Sequence, residues 1–459
     1  MKKTERQIIL AIIVCVTLIR GTMYGLVIPF DRAPDEKHHF MLIKAKQMQL
    51  RGASPDERQR TAARIEVAWR YLLYPGTSPD KYSLEQFSDR TLLPPLSSFH
   101  VYYFVAAWLL EFYSLESIQS DIYVIRGASI LCGALVVVMA ALIARDLFPE
   151  SYFLCLGIPL FISFVPQFSA MNGVINNDKP AEFFAALAFW LLVRMNKYGF
   201  SWTRGLGYLT VCLLALMSKR TTIFLLPLSL LLLFLYLWKG RIGLRMHGVL
   251  FGAFIIMLLL GYLVLWIPAM YTLVDEHLIS IPELRYLPRS LLRPELFSTV
   301  MLLHTAKFFT VMYWGFWAVF GYMTIHVHHF WYVAAAAVQT LALLGLLLLI
   351  VRTKRGLVSC EPWRVKVYYL FGAAIVFSLL IPVLRSIVLR FDMPDLTQGR
   401  YLFTAMVPIC TLTLLGIKEL FPPRALRVAG ATALMMLFAL DAVCLGKYIL
   451  VNFHDISLF

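Results

Sequence analysis

The chain contains 459 residues, of which 60% are hydrophobic and only 15% are charged. A composition this apolar, with a mean hydropathy of +0.72, excludes an ordinary soluble domain and predicts a polytopic α-helical membrane protein. A net charge of +15 would favour nucleic-acid binding in a soluble protein. Cytoplasmic loops of membrane proteins are rich in Lys and Arg, however, so we expect the lipid bilayer, and no nucleic acid, as the partner of this charge.

Apolar runs long enough for membrane helices recur along the whole chain. The first run is too long for a signal peptide and is followed by no small-residue cleavage site, so it predicts a retained helix. We place the runs at about 7–29, 121–145, 151–168, 179–195, 206–218, 221–238, 246–268, 330–351, 367–389, 401–418 and 426–448. This pattern predicts a single transmembrane domain over residues 1–459 with about eleven membrane helices, in a range of 10–13.

Basic loops predict which side of the membrane each run starts from. Clusters of Lys and Arg are expected on the cytoplasmic side, and they occur near 2–6, 194–204, 239–245, 352–366 and 418–427. The assignment is consistent only if the apolar stretches 96–113 and 298–321 do not cross the bilayer. We therefore expect a first extracytoplasmic loop at 30–120 with juxtamembrane helices, and a second extracytoplasmic or re-entrant region at 271–329.

Acids and imidazoles follow the first apolar run directly. Residues 33–40 read APDEKHHF, which places Asp35, Glu36, His38 and His39 at a membrane edge. Burying such groups in lipid is costly, so they indicate a water-filled site. A carboxylate there could accept a proton from a hydroxyl group or hold a divalent cation. The alternative for Asp35 is a helix N-cap, which would leave the other three residues unexplained.

The two histidines are adjacent on a predicted helix. Neighbouring helical positions point about 100° apart, so we expect only one of His38 and His39 to serve a shared site. That histidine could bind phosphate or substrate, or orient an acid. Interfacial packing is the alternative for the other one.

A second acidic segment precedes the run at 179–195. Asp178 facing Asp35 would suit acid–base chemistry, and both are the expected ligands if the site uses Mg²⁺ or Mn²⁺. Asn177 could donate hydrogen bonds to sugar hydroxyls. The alternative for Asp178 is again helix capping.

Positively charged side chains lie near the ends of several apolar runs. Lys219 and Arg220 interrupt a long apolar stretch, where a phosphate group is their natural partner. Arg400, which follows Gln398 at the start of a late run, and Arg126 in the second run are candidates of the same type. The alternative for these side chains is anchoring to lipid headgroups.

Residues 313–322 are dense in aromatic side chains and include Trp317. Such a segment could stack on a sugar or grip a lipid. An interfacial aromatic belt is the alternative.

Several of these segments, in this order, resemble motifs of the C-type (GT-C) superfamily of integral-membrane glycosyltransferases. The matching segments are Asp35-Glu36, Pro94-Pro-Leu, Arg126-Gly-Ala-Ser, Pro166-Gln-Phe through Asn177-Asp178, Ser218-Lys-Arg-Thr and Gln398-Gly-Arg-Tyr-Leu-Phe. A bacterial membrane protein family whose first loop reads P-P-D-E-P-x-H-F is more similar still. Its F-W-x-x-F-G element is matched by Phe316 to Gly321. Lys37 and Leu93 depart from the expected Pro and His.

The resemblance implies a GT-C-like helical bundle and a polyprenyl-phosphate-sugar-dependent glycosyltransferase. In this superfamily the sugar arrives on a polyprenyl phosphate, usually undecaprenyl phosphate in bacteria. A hydroxyl group of a lipid, glycan or cell-envelope polymer attacks its C1 at the extracytoplasmic face of the inner membrane. Asp35 would be the base, with Glu36 or Asp178 assisting, while Lys219, Arg220 and Arg400 would hold the phosphate.

Two other functions remain open at the level of sequence. A transporter or flippase of polyprenyl-linked lipids could use the same cations, and a non-catalytic envelope assembly protein could keep the same fold. The sequence contains no phosphate loop of the G-x-x-x-x-G-K-[ST] type, no H-E-x-x-H and no G-x-S-x-G motif. ATP-driven pumping and the common hydrolase designs therefore have no support.

Overall fold

The computed structural model describes residues 3–73, 81–88, 93–94, 100–113, 117–237, 299–357, 360–388 and 398–454. The predicted run at 246–268 lies outside these residues. Residues 271–298 of the second extracytoplasmic region and residues 95–96 of the Pro94-Pro-Leu segment also lie outside them.

The described residues form helices almost throughout. They are α1 (Lys3–Val27), α2 (Glu36–Leu50), α3 (Pro55–Leu73), α4 (Glu85–Ser88), α5 (Val101–Tyr113), α6 (Ile118–Leu147), α7 (Tyr152–Phe164), α8 (Pro166–Asn172), α9 (Asp178–Tyr198), α10 (Trp202–Ser218), α11 (Leu225–Leu237), α12 (Thr299–Trp317), α13 (His329–Lys354), α14 (Pro362–Val388), α15 (Met406–Leu420), α16 (Pro423–Val443) and α17 (Leu450–His454). Two 3-10 helices, Arg220–Phe224 and Gly399–Ala405, precede α11 and α15, and a π-helix, Cys444–Ile449, joins α16 to α17.

Besides helices and their connections, the described residues contain one short β-hairpin. Strands β1 (Val319–Phe320) and β2 (Ile325–His326) pair antiparallel, with Val319 opposite His326. The main chain of Val319 also donates to the Gln167 side chain of α8 at 2.9 Å. No pattern in the sequence predicted this hairpin, which continues the aromatic end of α12.

The prediction of an all-α polytopic membrane protein is confirmed. Among the described residues, six helical segments are long and apolar enough to cross a bilayer, namely Gln7–Val27, Ile118–Leu147, His329–Lys354, Pro362–Leu384, Gly399–Leu420 and Pro423–His454. Helices α7 and α8 would form a seventh span, bent by 65°, where Pro166 cannot donate a main-chain hydrogen bond. Helices α9 to α11 also fall on predicted runs. The number of eleven spans stays a prediction.

One end of the bundle gathers the ends of several helices. Contacts of Arg126 with Gly25 and Ile28 join the end of α1 to the N-terminal part of α6, and the pair of Lys219 with Asp178 joins the end of α10 to the start of α9. Arg400 links the two groups through Asp35 and Asp178. We call this end of the bundle the site end. The polar helix α3 follows α2 in the chain and lies in the predicted first extracytoplasmic loop.

A buried ion pair joins the first and last long helices inside the bundle. Arg20 donates from Nε to Asp441 at 2.9 Å and from Nη2 to the other carboxylate oxygen. The Tyr24 hydroxyl donates to the same carboxylate at 2.7 Å, and the Arg20 guanidinium lies over the Phe164 ring. No sequence pattern indicated this pair, because its members are 421 positions apart.

We expect Asp441→Asn to destabilise the protein strongly, since it leaves the Arg20 charge buried without a counter-ion. Breaking one side of such a pair typically costs about 3–5 kcal/mol, whereas replacing both sides with apolar residues can be neutral. Thermal unfolding in detergent should therefore show a large loss for Asp441→Asn and a smaller loss for Arg20→Met/Asp441→Leu. Equal losses in the two variants would contradict this role.

Candidate functional site

Glu36 anchors the loop between α1 and α2. Its carboxylate is fully buried and receives two hydrogen bonds from Arg126, from Nε at 2.8 Å and Nη2 at 2.9 Å. The main-chain N–H groups of Ile175 and Asp31 donate to it at 3.0 and 2.9 Å. Arg126 also donates to the carbonyl groups of Gly25 and Ile28. This geometry favours a positioning role for Glu36 and Arg126 over the substrate contact expected from the sequence.

Asp35 adopts a left-handed backbone conformation, with φ at 65° immediately before α2. The helix predicted here forms, but the Asp35 side chain makes no capping hydrogen bond. Its side chain is 59% exposed and turns toward Arg400 instead. The capping alternative therefore does not explain this carboxylate.

Unusual backbone conformations concentrate around this loop. The non-glycine residues with positive φ among the described residues are Asp31, Asp35, Tyr322 and Met323. The Tyr322 hydroxyl donates to the Asp31 carboxylate at 2.8 Å, which joins the hairpin turn to the first loop. Such conformations cost about 1–3 kcal/mol each and persist only where the surroundings enforce them. The two strained segments thus hold each other beside Asp35.

Two carboxylates and two cations from four separate segments form the centre of the site. Arg400 Nη2 lies 3.1 Å from Asp35 Oδ2, and Nη1 lies 3.6 Å from Asp178 Oδ2. Lys219 Nζ pairs with the other oxygen of Asp178. The sequence predicted that these four residues share one face of the bundle, and the structure brings them into direct contact. We call them the charge cluster.

Arg400 has unused hydrogen-bonding capacity. Its side chain is 3% exposed, and neither Nε nor Nη1 has a hydrogen-bond partner. Asp178 Oδ2 is also without one, since 3.6 Å is beyond hydrogen-bonding distance. Buried polar atoms are rarely left unpaired in proteins, and a guanidinium offers a planar fork that matches phosphate. The two unpaired guanidinium nitrogens of Arg400 are therefore available as donors to an oxyanion.

Local backbone structure places the two cations. Lys219 directly follows the last residue of α10 and has an extended backbone. Its carbonyl accepts a hydrogen bond from the Thr222 hydroxyl at 2.8 Å. Gly399, which precedes Arg400, lies so close to α12 that an added methyl group would overlap the backbone of Met312 and Phe316. Glycine is required there by this contact between backbones.

His39 faces the charge cluster from α2. It is buried, and its Nδ1 lies 2.7 Å from the Tyr103 hydroxyl of α5. Burial, together with the positive charges of Lys219 and Arg400, holds the pKa of His39 well below its usual value. His38 is exposed, so only one of the two histidines faces the cluster, as their helical spacing predicted.

Tyr103 and His100 are the site residues that the sequence analysis missed. The Tyr103 ring stacks on His39 at 5.9 Å and on His100 at 5.4 Å between centroids. Burial and the carboxylates of Asp35 and Asp178 raise the pKa of Tyr103 above its usual range. The sequence signal was weak, because both residues lie in an apolar stretch assigned only to the membrane surface.

The remaining candidates lie at the edge of the cluster or away from it. Arg220 is exposed beside Lys219, and Gln398 immediately precedes the second 3-10 helix. Asn177 is buried before α9, and its Oδ1 has no hydrogen-bond partner. Trp317 is buried in the bundle, with its ring 6.1 Å from that of Phe161, so it packs among aromatic residues.

The charge cluster does not fit a divalent cation in this arrangement. No group of three or more His, Cys, Asp or Glu side chains is placed for metal binding within the described part of the chain. Asp35 and Asp178 each contact Arg400, and Asp178 also contacts Lys219. A Mg²⁺ or Mn²⁺ ion at these carboxylates would have to displace their contacts with two positive side chains.

Comparison with known proteins gives a fold and no family. No protein-family model matches the chain, and no curated protein sequence matches it significantly. A crystal structure of the Archaeoglobus fulgidus oligosaccharyltransferase, tethered to an acceptor peptide containing the NVT sequon, is similar to this fold with a TM-score of 0.50 and 13% sequence identity. The match covers 97% of this chain and 55% of that one, so this chain spans about half the length of its structural neighbour.

The lowered pKa of His39 predicts a specific pH dependence of stability. Because the folded protein favours the neutral ring, His39 contributes stability above its unfolded pKa of about 6.5, and this stability is lost as the pH falls. Melting temperatures between about pH 7.5 and pH 5 should therefore decline less steeply for His39→Gln than for the wild type. His38→Gln, an exposed control, should follow the wild-type curve. Parallel curves for wild type and His39→Gln would contradict the prediction.

Proposed function

We propose that this protein is a membrane glycosyltransferase that moves a sugar from a polyprenyl-phosphate donor to a hydroxyl acceptor. The proposal rests on the position and the contacts of Arg400. This buried guanidinium touches an exposed carboxylate, Asp35, and a buried one, Asp178, and keeps two nitrogens without hydrogen-bond partners. An anion-binding group beside an exposed base is what glycosyl transfer from a phosphate leaving group requires. The fold likeness to an oligosaccharyltransferase supports the same class of reaction.

The cations would bind the donor phosphate and stabilise its departure. As the bond between the sugar C1 and the phosphate oxygen breaks, the electron pair remains on the phosphate, whose negative charge increases. Lys219 and Arg400 are already fixed by Asp178, so they can meet this charge without reorganising. Asp178 is therefore a counter-ion that orients the cations.

Asp35 would act on the acceptor. The left-handed backbone at Asp35 turns its exposed carboxylate away from the buried carboxylate of Glu36. When a donor phosphate binds Arg400, Asp35 loses its 3.1 Å contact with that guanidinium. The Asp35 carboxylate then becomes available to the acceptor hydroxyl. The hydroxyl oxygen forms the new bond to C1, and its proton passes to the Asp35 carboxylate.

Neighbouring groups complete the proposed site. The neutral, stacked rings of His39 and Tyr103 form a wall next to the charge cluster on which a sugar face could pack. Arg220, Asn177 and Gln398 lie close enough in the chain to contact the donor, and Trp317 would act only through packing. The basic loops favour an extracytoplasmic position for the proposed site. The resemblance of the sequence motifs implies a bacterial inner membrane and a lipid, glycan or envelope polymer as acceptor.

The decisive experiment is incubation of the purified protein with a panel of polyprenyl-phosphate sugars. Release of polyprenyl phosphate, with transfer of the sugar to an acceptor or to water, supports the transferase. A flippase would move the intact lipid across liposomes without releasing polyprenyl phosphate. An assembly protein would do neither.

We expect Asp35→Asn to reduce transfer by at least about 100-fold, since proton transfer by a positioned base typically contributes 10²–10⁴-fold. Expression and melting temperature should remain near those of the wild type, because the Asp35 side chain is mostly exposed. Asp56→Asn, an exposed acid on α3, serves as the matched control. Full activity of the Asp35→Asn protein would refute its role as base.

Arg400→Lys and Lys219→Gln should raise the KM for the donor and lower kcat. Each loses charged hydrogen bonds to phosphate, which corresponds to about 10–100-fold in kcat/KM. The measurement is initial velocity against donor concentration, with melting temperatures to exclude unfolding. Arg220→Gln tests whether the exposed neighbour belongs to the site. Unchanged kcat/KM in both Arg400→Lys and Lys219→Gln would contradict phosphate binding by the charge cluster.

A further inference from the structure

A cavity lies at the opposite end of α6 from the charge cluster. It has a volume of about 430 Å³ and is lined by residues of α1, α6 and α7. Its lining residues are Gln7, Leu10, Ile13, Ala141, Leu142, Arg145, Tyr152, Cys155, Leu156 and Pro159. Arg145 is 19 positions along α6 from Arg126, which corresponds to roughly 28 Å at the helical rise of about 1.5 Å per residue. This distance is close to the thickness of the hydrocarbon core of a bilayer, about 30 Å.

The cavity has an apolar body and a cationic rim. Leu10, Ile13, Leu142 and Leu156 line the body, whereas Arg145 and Tyr152 stand exposed at one end. A cavity with this polarity fits an amphipathic molecule with its chain inside and its polar group at the rim.

Arg145 carries a charge that no carboxylate neutralises within the described part of the chain. Its neighbour Asp146 pairs with Lys197 of α9 at 3.1 Å instead. A cation at the membrane edge without a counter-ion attracts an anionic headgroup, and the bilayer around the helices supplies such headgroups at high local concentration.

We propose that this cavity binds an anionic glycerophospholipid of the leaflet opposite the charge cluster. An acyl chain occupies the apolar body between α1 and α7, and the headgroup phosphate contacts Arg145. Neutral phospholipids have the same kind of acyl chain but carry no net negative charge. Arg145 therefore makes the site selective for anionic lipids.

Native mass spectrometry of the full-length, delipidated protein tests the proposal. Phosphatidylglycerol and phosphatidylcholine with identical acyl chains are added separately. We expect one phosphatidylglycerol per chain to bind at least about fivefold more tightly than phosphatidylcholine, the factor that corresponds to one cation near an anionic lipid. Equal binding of the two lipids would overturn the proposal.

Two variants locate the site. Arg145→Gln should abolish the preference for phosphatidylglycerol, while Arg427→Gln, an exposed arginine on α16, should retain it. Ala141→Phe keeps the charge but fills the cavity, and it should weaken binding of both lipids without lowering the melting temperature. Selective binding that survives in either Arg145→Gln or Ala141→Phe would show that the lipid binds elsewhere. The result does not depend on glycosyl transfer, so it can fail while the proposed function stands.

Discussion

The arrangement of the site depends on the ion pairs of Arg400. Its buried guanidinium lies between the carboxylates of Asp35 and Asp178. It joins the first loop, the start of α9 and the second 3-10 helix. A single buried charge in this position would be costly. The buried carboxylate of Asp178 and the more exposed one of Asp35 offset the positive charges of Arg400 and Lys219. The balance leaves guanidinium nitrogens unpaired, and the cluster can exchange Asp35 for another anion without losing its counter-ion Asp178.

Rigid supports surround this exchangeable contact. Glu36, one residue from Asp35, is fixed by four hydrogen bonds from Arg126, Ile175 and Asp31. The Tyr322 hydroxyl fixes Asp31 from the hairpin side. An exposed carboxylate between fixed neighbours suits the proposed role as a base, because the backbone position is defined while the side chain remains accessible.

The fold class was predictable from sequence because lipid demands long apolar helices, and those are visible in composition. The charge cluster was predictable in part for a related reason, since charged residues at the ends of apolar runs are conspicuous. Their pairings were not predictable. Glu36 was expected to share the chemistry of Asp35, and only the structure shows that Arg126 encloses it. Arg20 with Asp441, and His39 with Tyr103, depend on contacts between distant segments that no local pattern encodes.

The most direct measurement of the central claim is a cryo-electron microscopy structure of the protein with bound polyprenyl phosphate. We expect the phosphate to lie within hydrogen-bonding distance of Arg400 and Lys219, with Asp35 released from Arg400 and Asp178 still in place. A phosphate bound elsewhere, with the contact between Asp35 and Arg400 intact, would contradict the assignment of the charge cluster as the donor site.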